Sequence, residues 1–284
     1  MYSHGWCSLL PFSVDKEQPL FNRLLTLSDS SLAYCQITIP KDSSLNILVR
    51  HPKTLTTTQC INIKHQIASC LRLTEDYSHF YREAKRFSKY RWIAKMKAGR
   101  MLRAPSVFED IVKMICTTNC SWSLTETMVN NLTGELGKRF NSSIYSFPTP
   151  QALAGVTEQF LRKNIKVGYR SPFLLEFAKK VAGNKLNVEQ WRSSDLPTEV
   201  LFKELRSIKG VGEYAAGNIL KLLGRYDYLG LDSWVRSRYY ELYHGGRKVS
   251  DHTIEQRYKS YGKWRGLFFW MEMTKHWYGR KFPF

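Results

Sequence analysis

Two glycines spaced by one residue, with a single acid downstream, are the residues here whose types and spacing could do chemistry. They lie in Leu205-Arg-Ser-Ile-Lys-Gly-Val-Gly-Glu-Tyr-Ala-Ala-Gly-Asn-Ile-Leu220 and, twelve residues after Leu220, at Asp232. The stretch reads as a helix, a tight Gly210-Val211-Gly212 hairpin and a second helix. Gly210 and Gly212 can take φ > 0 and admit a closely approaching group, because neither has a Cβ. Val211 between them can turn back onto the helices as a plug. The amides from Val211 to Tyr214 open the second helix, so several N–H groups lack intrahelical partners. A phosphate satisfies such groups, helped by the positive end of the helix dipole. Ala215, Ala216 and Gly217 give the second helix a small face for packing on the first. A helix–turn–helix corner without a ligand would use the same glycines. Asp232 ends the apolar loop Tyr228-Leu-Gly-Leu and precedes the helix Ser233-Trp-Val-Arg-Ser-Arg238. There it can serve as an N-cap. In a mostly dry pocket it can also stabilise developing positive charge and accept a proton from water.

The charge balance says what these elements act on. Of 284 residues, 43 are Lys or Arg and 24 Asp or Glu, a formal net charge of +19. Such an excess steers a chain toward polyanions and says nothing about fold. Nucleic acid fits better than a membrane surface, since there is no run of about 18 apolar residues. The start, Met1 to Pro11, lacks the basic region and long apolar stretch of a secretory signal. The expected location is therefore cytoplasmic in a bacterium or archaeon, or nuclear or organellar in a eukaryote. The six cysteines, Cys7, Cys35, Cys60, Cys70, Cys116 and Cys120, form no Cys-x-x-Cys pair and no zinc spacing. Cys116 and Cys120 share a helix face, but two thiols are too few for a closed metal site. Side chains are thus expected to bind no metal.

A mainly helical body with a small N-terminal antiparallel sheet must position the hairpin and the acid. Leu32–Ile39 and Leu45–Arg50 have strand character, joined by turn chemistry at Pro40–Ser44. Thr54–Ile63, rich in Thr and β-branched residues, reads as a further strand. From about Gln66 the pattern becomes helical, giving a sheet domain over 1–75 and a helical body over 76–284, with the hairpin pair at about 199–223. Pro105-Ser106-Val-Phe-Glu109 reads as a capping box, and Ser123-Leu-Thr-Glu126 repeats it. Val107, Phe108, Ile111, Val112 and Ile115 form one apolar stripe. Thr149-Pro150 supplies a cap and an N1 proline. Pro197 starts the helix that feeds the hairpin, and Gly224 ends the one that follows. Glu83–Lys97 is densely basic, with Tyr90 and Trp92 interleaved; it reads as a solvated face, with phosphate contact as the alternative.

Ile208-Lys-Gly-Val-Gly-Glu-Tyr-Ala-Ala216 together with Leu229-Gly-Leu-Asp-Ser-Trp-Val-Arg236 resembles the helix–hairpin–helix DNA glycosylases of base excision repair. The resemblance covers about the last two thirds of the chain. Phe108–Gly137, with Ile115-Cys-Thr-Thr-Asn119 inside it, resembles that family's interdomain helix segment. Gly168-Tyr-Arg170 resembles the loop that enters the DNA stack, and Tyr261-Gly-Lys-Trp264 to Met273 its C-terminal helix. The N-terminal sheet points toward the branch of 3-methyladenine glycosylase II and the 8-oxoguanine enzyme. The resemblance implies double-stranded DNA as partner, a monomer, and a base flipped out of the duplex for reaction. It implies backbone contact at Lys209, Gly210, Val211, Gly212 and Tyr214. It also implies a monovalent cation at the hairpin carbonyls. Tyr169 and Asn119 match the intercalating and gap-filling positions; locally they also read as a helix-turn aromatic and a helix-terminal cap. Asp232 matches the catalytic acid, which stabilises the charge that builds on the sugar as the glycosidic bond breaks. Some relatives carry four C-terminal cysteines for an iron–sulfur cluster. No cysteine follows Cys120 in this sequence, so no such cluster is expected.

Two departures narrow the chemistry. Bifunctional members carry, two residues beyond the second hairpin glycine, a lysine whose amine forms a Schiff base; here Tyr214 stands there. Simple hydrolysis is therefore expected, with Lys209 the amine for an alternative lyase activity. The 8-oxoguanine enzyme reads its base with a glutamine two residues after the tryptophan matching Trp264; here that residue is Gly266. Its base-stacking phenylalanine aligns with Trp270. Tyr214, Trp234 and Trp270 leave an aromatic pocket suited to cationic, alkylated purines, with modified pyrimidines as the other class. Gly266 is expected to leave space for a bulky base. A non-catalytic helix–hairpin–helix protein that binds distorted DNA is the competing function, and it would not need Asp232.

Overall fold

The computed structural model describes residues 3–15, 20–38 and 44–279. Among them, four strands come first: β1 (Phe12–Val14), β2 (Leu20–Thr26), β3 (Leu32–Thr38) and β4 (Asn46–Arg50). Helices follow: α1 (Thr57–Cys70), α2 (Ser78–Arg86), α3 (Arg91–Lys95), α4 (Val107–Thr117), α5 (Trp122–Leu136), α6 (Pro150–Ala154) and α7 (Glu158–Phe160). The rest are α8 (Ser171–Ala182), α9 (Thr198–Arg206), α10 (Glu213–Leu223), α11 (Ser233–His244), α12 (Asp251–Tyr258) and α13 (Arg265–Thr274). The protein is mainly helical with a small antiparallel sheet, as the sequence indicates. No described helix is long and apolar enough to cross a membrane. Backbone contacts divide the chain into two compact units, Met1–Thr74 with Leu102–Glu189, and Glu75–Met101 with Gln190–Pro283.

The first unit holds the sheet, in the order β1-β2-β3-β4 with every pair antiparallel. Ala33, Cys35 and Ile37 alternate inward along β3, the period-2 pattern of a half-buried strand. Residues 39–43, which include Ile39 and most of the expected Pro40–Ser44 turn, lie outside the described residues. The strand expected over Thr54–Ile63 is instead the start of α1. Thr56 accepts from the Gln59 N–H at 3.2 Å while the Gln59 side chain accepts from the Thr56 N–H at 2.9 Å. The threonines there cap a helix rather than line a sheet. Ser106 does cap α4, accepting from Glu109 N at 3.2 Å. Glu109 does not reach back to close a box, because its carboxylate lies in the core. It takes both guanidinium nitrogens of Arg23 at 2.9 and 2.6 Å and the Lys113 ammonium at 2.7 Å. Burial pushes the Glu109 carboxyl up, but Arg23 and Lys113 outweigh it and hold the group below its ordinary range. The second capping residue is Ser121, not Ser123: its hydroxyl accepts from Leu124 N at 3.3 Å. Glu126 instead accepts from the Trp122 indole at 3.0 Å. The expected stripe Val107, Phe108, Ile111, Val112 and Ile115 is buried throughout.

The second unit is packed around aromatic residues, among them Tyr77, Phe80, Tyr226, Trp264 and Phe268. A polar knot sits beside this core. Glu272 accepts from the hydroxyls of Tyr90 at 2.7 Å and Tyr258 at 2.6 Å, and also from Tyr243. In the basic stretch 83–97, Lys85, Arg86, Arg91 and Lys95 are exposed. Its rings are not: Tyr90 is buried and Trp92 packs 4.9 Å from Tyr278. The segment therefore presents charge to solvent and aromatics to the core.

Candidate active site

The hairpin forms where the glycines lie. α9 starts after Pro197, and α10 ends at Gly224, whose φ of 90° needs glycine. Gly210 has φ 86°, a left-handed conformation that only glycine adopts readily. Gly212 does not share it. Its φ is −78° and ψ −176°, extended backbone open to any residue. Gly212 is instead open on its outer side, where a built Cβ would meet no other protein atom within 4 Å, so a partner can approach the backbone there. Val211 is buried as a plug, its N–H donating to the Ile208 carbonyl at 3.0 Å. No side chain caps α10, and a helix start of this kind can take an anion. Lys209 at the tip is exposed and Tyr214 half-buried.

The small face of α10 works differently from the expectation. Gly217 does not simply ease the packing of α10 on α9. Its hydrogen faces the loop that leads to Asp232: a Cβ there would lie 3.0 Å from the Gly230 Cα and 3.6 Å from the Tyr228 Cβ. That loop is tied down at almost every residue. Tyr226 accepts at its carbonyl from Gly266 N at 2.7 Å. The Asp227 carboxylate takes the Thr198 hydroxyl at 2.9 Å, and its carbonyl takes the Arg265 guanidinium. Tyr228 stacks on Phe202, with ring centroids 4.3 Å apart and planes 4° from parallel. The Leu229 carbonyl accepts from the Lys221 ammonium. Gly230, with φ 65°, packs on Asn218 and Lys221.

The loop delivers Asp232 to the N-terminus of α11. Its Oδ1 accepts from Val235 N at 2.7 Å, so it is an N-cap. Among the described residues Oδ2 has no hydrogen-bond partner. Lys221 and Arg236 are close enough to interact electrostatically with the carboxylate. Burial drives the Lys221 ammonium down to about 7, against the opposing pull of Asp232. Such a carboxylate, half-buried and with one oxygen uncommitted, can face a cationic centre or take a proton.

Three tryptophans gather in the same unit. Trp234 lies 6.3 Å from Trp270 and 5.4 Å from Trp277, and Trp270 meets Trp277 edge-on at 5.8 Å. Trp234 remains 42% exposed. The structure thus brings together two expected pocket residues and adds Trp277. Gly266 does not enlarge a pocket. It is buried against the loop, where a Cβ would stand 2.7 Å from the Tyr226 oxygen and nearer still to that of Tyr228. Its role is close helix–loop approach, and no side chain fits there.

In the first unit, Asn119 and Tyr169 meet at the surface. The Asn119 amide points at the Tyr169 hydroxyl at 3.4 Å. Tyr169 is 47% exposed, and the Arg170 guanidinium lies 4.5 Å from its ring centroid. Arg170 is buried and donates to the Thr118 carbonyl, which fixes the turn carrying Tyr169 to the one carrying Asn119. Asn119 itself has φ 48°, a conformation asparagine tolerates better than most residues.

Sequence reasoning missed Lys221, Asn218, Phe202 and Trp277. A lysine inside the apolar run Ile219–Leu223 is a legible anomaly, and it could have singled out Lys221. Phe202 and Trp277 carry no local signal, since their partners are remote in sequence.

No family model matches the chain. A probable N-glycosylase/DNA lyase of Methanothermobacter thermautotrophicus is 24% identical over 188 residues, 58% of this chain and 59% of that protein. An N-glycosylase/DNA lyase of Saccharomyces cerevisiae is 25% identical over 144 residues, 44% of this chain and 38% of that protein. The chain thus spans about three fifths or less of the curated relatives it matches. The fold matches a 3-methyladenine DNA glycosylase from Archaeoglobus fulgidus with TM-score 0.72 and 21% identity, over 94% of this chain and 90% of that one. It also matches an 8-oxoguanine glycosylase/lyase of Clostridium acetobutylicum in complex with DNA. That match has TM-score 0.67 and 20% identity, over 89% of this chain and 88% of the other. The helical body and the N-terminal sheet give this chain the fold of these glycosylases, and its sequence is similar to that of the two N-glycosylase/DNA lyases.

Proposed function

We propose that this protein is a monofunctional DNA glycosylase. It flips a damaged or modified base out of duplex DNA and hydrolyses the N-glycosidic bond, leaving an abasic site. The observation that carries this reading is Asp232, a carboxylate capping α11 through one oxygen, with the other uncommitted, on a loop locked to the second hairpin helix. The uncapped start of α10 and the open side of Gly212 hold a DNA phosphate. Lys209 adds charge at the tip. Tyr169 stacks on an exposed base face, and Asn119 pairs with the base left behind. As the bond between the sugar C1′ and the base nitrogen breaks, positive charge grows on the sugar and Asp232 stabilises it. Water adds to C1′, its proton passing to Asp232, while the bonding electrons leave with the base. The protein works as a monomer on double-stranded DNA.

Residues 208–211 lie outside the helices, and of their carbonyls that of Ile208 accepts from Val211 N at 3.0 Å; a carbonyl oxygen has two lone pairs. Oxygen donors of this kind fit a monovalent cation, which would add positive charge beside the phosphate. Trp234, Trp270 and Trp277 supply electron-rich ring faces, which favours an alkylated purine, or else a modified pyrimidine, as substrate. No amide stands at Gly266 to read a guanine edge, which argues against 8-oxoguanine.

The test is to incubate the protein with duplexes carrying a panel of modified bases and to score alkali-labile sites. Base release by the parent and none by Asp232→Asn supports the reading. Equal release by both removes Asp232 from the chemistry, and DNA binding with no release from any duplex favours a non-catalytic binder. The lyase named in both curated relatives favours a second reading, in which an amine such as Lys209 attacks the sugar. Tyr214, at the position of the family's lysine, cannot form a Schiff base. Borohydride trapping of a covalent adduct lost in Lys209→Ala would establish that second reading.

A further inference from the structure

Lys221 is a buried charge that the proposed chemistry leaves without a task. It sits in α10 among Ile219, Leu220, Leu222 and Leu223, all buried, and is itself fully buried. A leucine would satisfy that position, and an ammonium there costs desolvation. Its partners explain the placement. The ammonium donates to Asn218 Oδ1 at 3.1 Å and to the Leu229 carbonyl. Asn218 Nδ2 in turn donates to the Tyr214 carbonyl at 2.9 Å. A chain of hydrogen bonds therefore runs from the first turn of the second hairpin helix to a point three residues before Asp232. Gly230 closes over it, since a Cβ there would lie 2.8 Å from Lys221 Nζ and 3.0 Å from Asn218 Nδ2.

We propose that Lys221 is a positioning residue: its buried ammonium ties the loop carbonyl and Asn218 together and sets Asp232 in fixed relation to the hairpin. The inference rests on the reading of Asp232 as the catalytic acid. Asp232 on the loop is a charged group that acts on the ammonium, and the Asn218 and Leu229 oxygens that accept from it are neutral. The positive charge lies close enough to interact with the Asp232 carboxylate, and that interaction strengthens when a flipped base excludes water. Burial brings Lys221 to about 7, so this support weakens as pH rises through neutrality. Above that point the amine has one donor fewer and no charge to set against Asp232.

The experiment uses the full chain and the duplex that the parent turns over. Single-turnover base release and affinity for a duplex with a stable abasic analogue are measured from pH 5.5 to 9. The parent rate is expected to fall as pH rises past about 7, with affinity following a different course. Lys221→Met, which keeps length and apolar volume, is expected to lose the rate by about 10- to 100-fold, to keep affinity within about threefold, and to lose the limb near pH 7. In an Asp232→Asn background it is expected to add nothing, because it acts through that carboxylate. A parent profile flat through neutrality overturns the inference, and so does a Lys221→Met rate equal to the parent's. A borohydride-trapped adduct that disappears in Lys221→Met overturns it by making the amine a nucleophile. Asp232→Asn at the parent rate instead defeats the catalytic reading itself, whatever Lys221 does.

Discussion

Replacing Gly266 with alanine tests how firmly the C-terminal helix holds the loop that ends in Asp232. The Gly266 N–H donates to the Tyr226 carbonyl at 2.7 Å. A Cβ at this position would stand 2.7 Å from the same oxygen and 3.0 Å from the Tyr228 carbonyl carbon, with the Tyr228 oxygen nearer still. These are backbone atoms, so no rotamer change relieves the clash. Ordinary carbon–oxygen contact needs roughly 3.3 Å, and residues 226–228 must therefore withdraw from α13 by about 1 Å. Overpacking of this kind costs about 1–3 kcal/mol of stability. A misplacement of about 1 Å at a reacting group costs on the order of 100-fold in rate. Asp232 lies beyond the point where Lys221 pins the loop, so part of the shift is absorbed, and a loss of about 10- to 100-fold is expected. The assay is single-turnover base release beside affinity for a duplex containing an abasic analogue. Affinity should stay within about threefold, since the hairpin is untouched. A Gly266→Ala protein that melts at the parent temperature and releases base at the parent rate would refute the clamped loop.

Other perturbations separate the remaining roles. Asp232→Ala removes a helix cap as well as the carboxylate, and should cost about 1 kcal/mol in denaturant unfolding; Asp232→Asn, which still caps, should cost almost none. Gly212→Asp puts a side chain and a negative charge into the open space at the start of α10. Filter binding should show duplex affinity down by at least about tenfold with a smaller salt dependence, while melting stays near the parent because no protein atom is in the way. Lys221 gives stability a pH dependence of defined sign. Its folded value is about 7 against an ordinary 10.5, so below 7 both states are protonated and the folded state carries the full cost of a buried charge. Between 7 and 10.5 the unfolded chain binds more protons, and stability should rise with pH by a few kcal/mol relative to Lys221→Met, reaching a plateau above. Chemical denaturation of both proteins across pH 6 to 11 checks this, and a constant difference would contradict it.

Local signals carried much of the fold. Thr149 with Pro150, Pro197, Gly224 and the Asp232 cap all mark helix ends where the sequence places them, because capping and proline geometry act within a turn of chain. Thr56 misled, since a cluster of threonines serves equally well as strand surface and as helix caps, and Gln59 three residues on was the deciding residue. β2 was overlooked for the opposite reason. Leu20-Phe-Asn-Arg-Leu-Leu-Thr26 has few β-branched residues, and it becomes a strand by pairing with β3 along its full length. Gly266 and Gly217 could be recognised as glycines, but not for what they face, because the loop they accommodate returns from elsewhere in the chain. Glu109 likewise looked like half of a capping box until Arg23, 86 residues away, claimed its carboxylate. The hairpin was legible because its whole logic lies within a few residues; the clamp on the acid was not, because every tie to it is long-range or crosses from helix to loop.

The most direct measurement is release of a modified base from duplex DNA by the purified chain and by its Asp232→Asn variant, side by side at equal DNA occupancy. Alkali-labile sites should accumulate with the parent and fall by at least about 100-fold with the variant, both proteins binding the duplex equally. Equal accumulation from the two, or none from the parent on any duplex of the panel, would contradict a carboxylate held at the anomeric carbon.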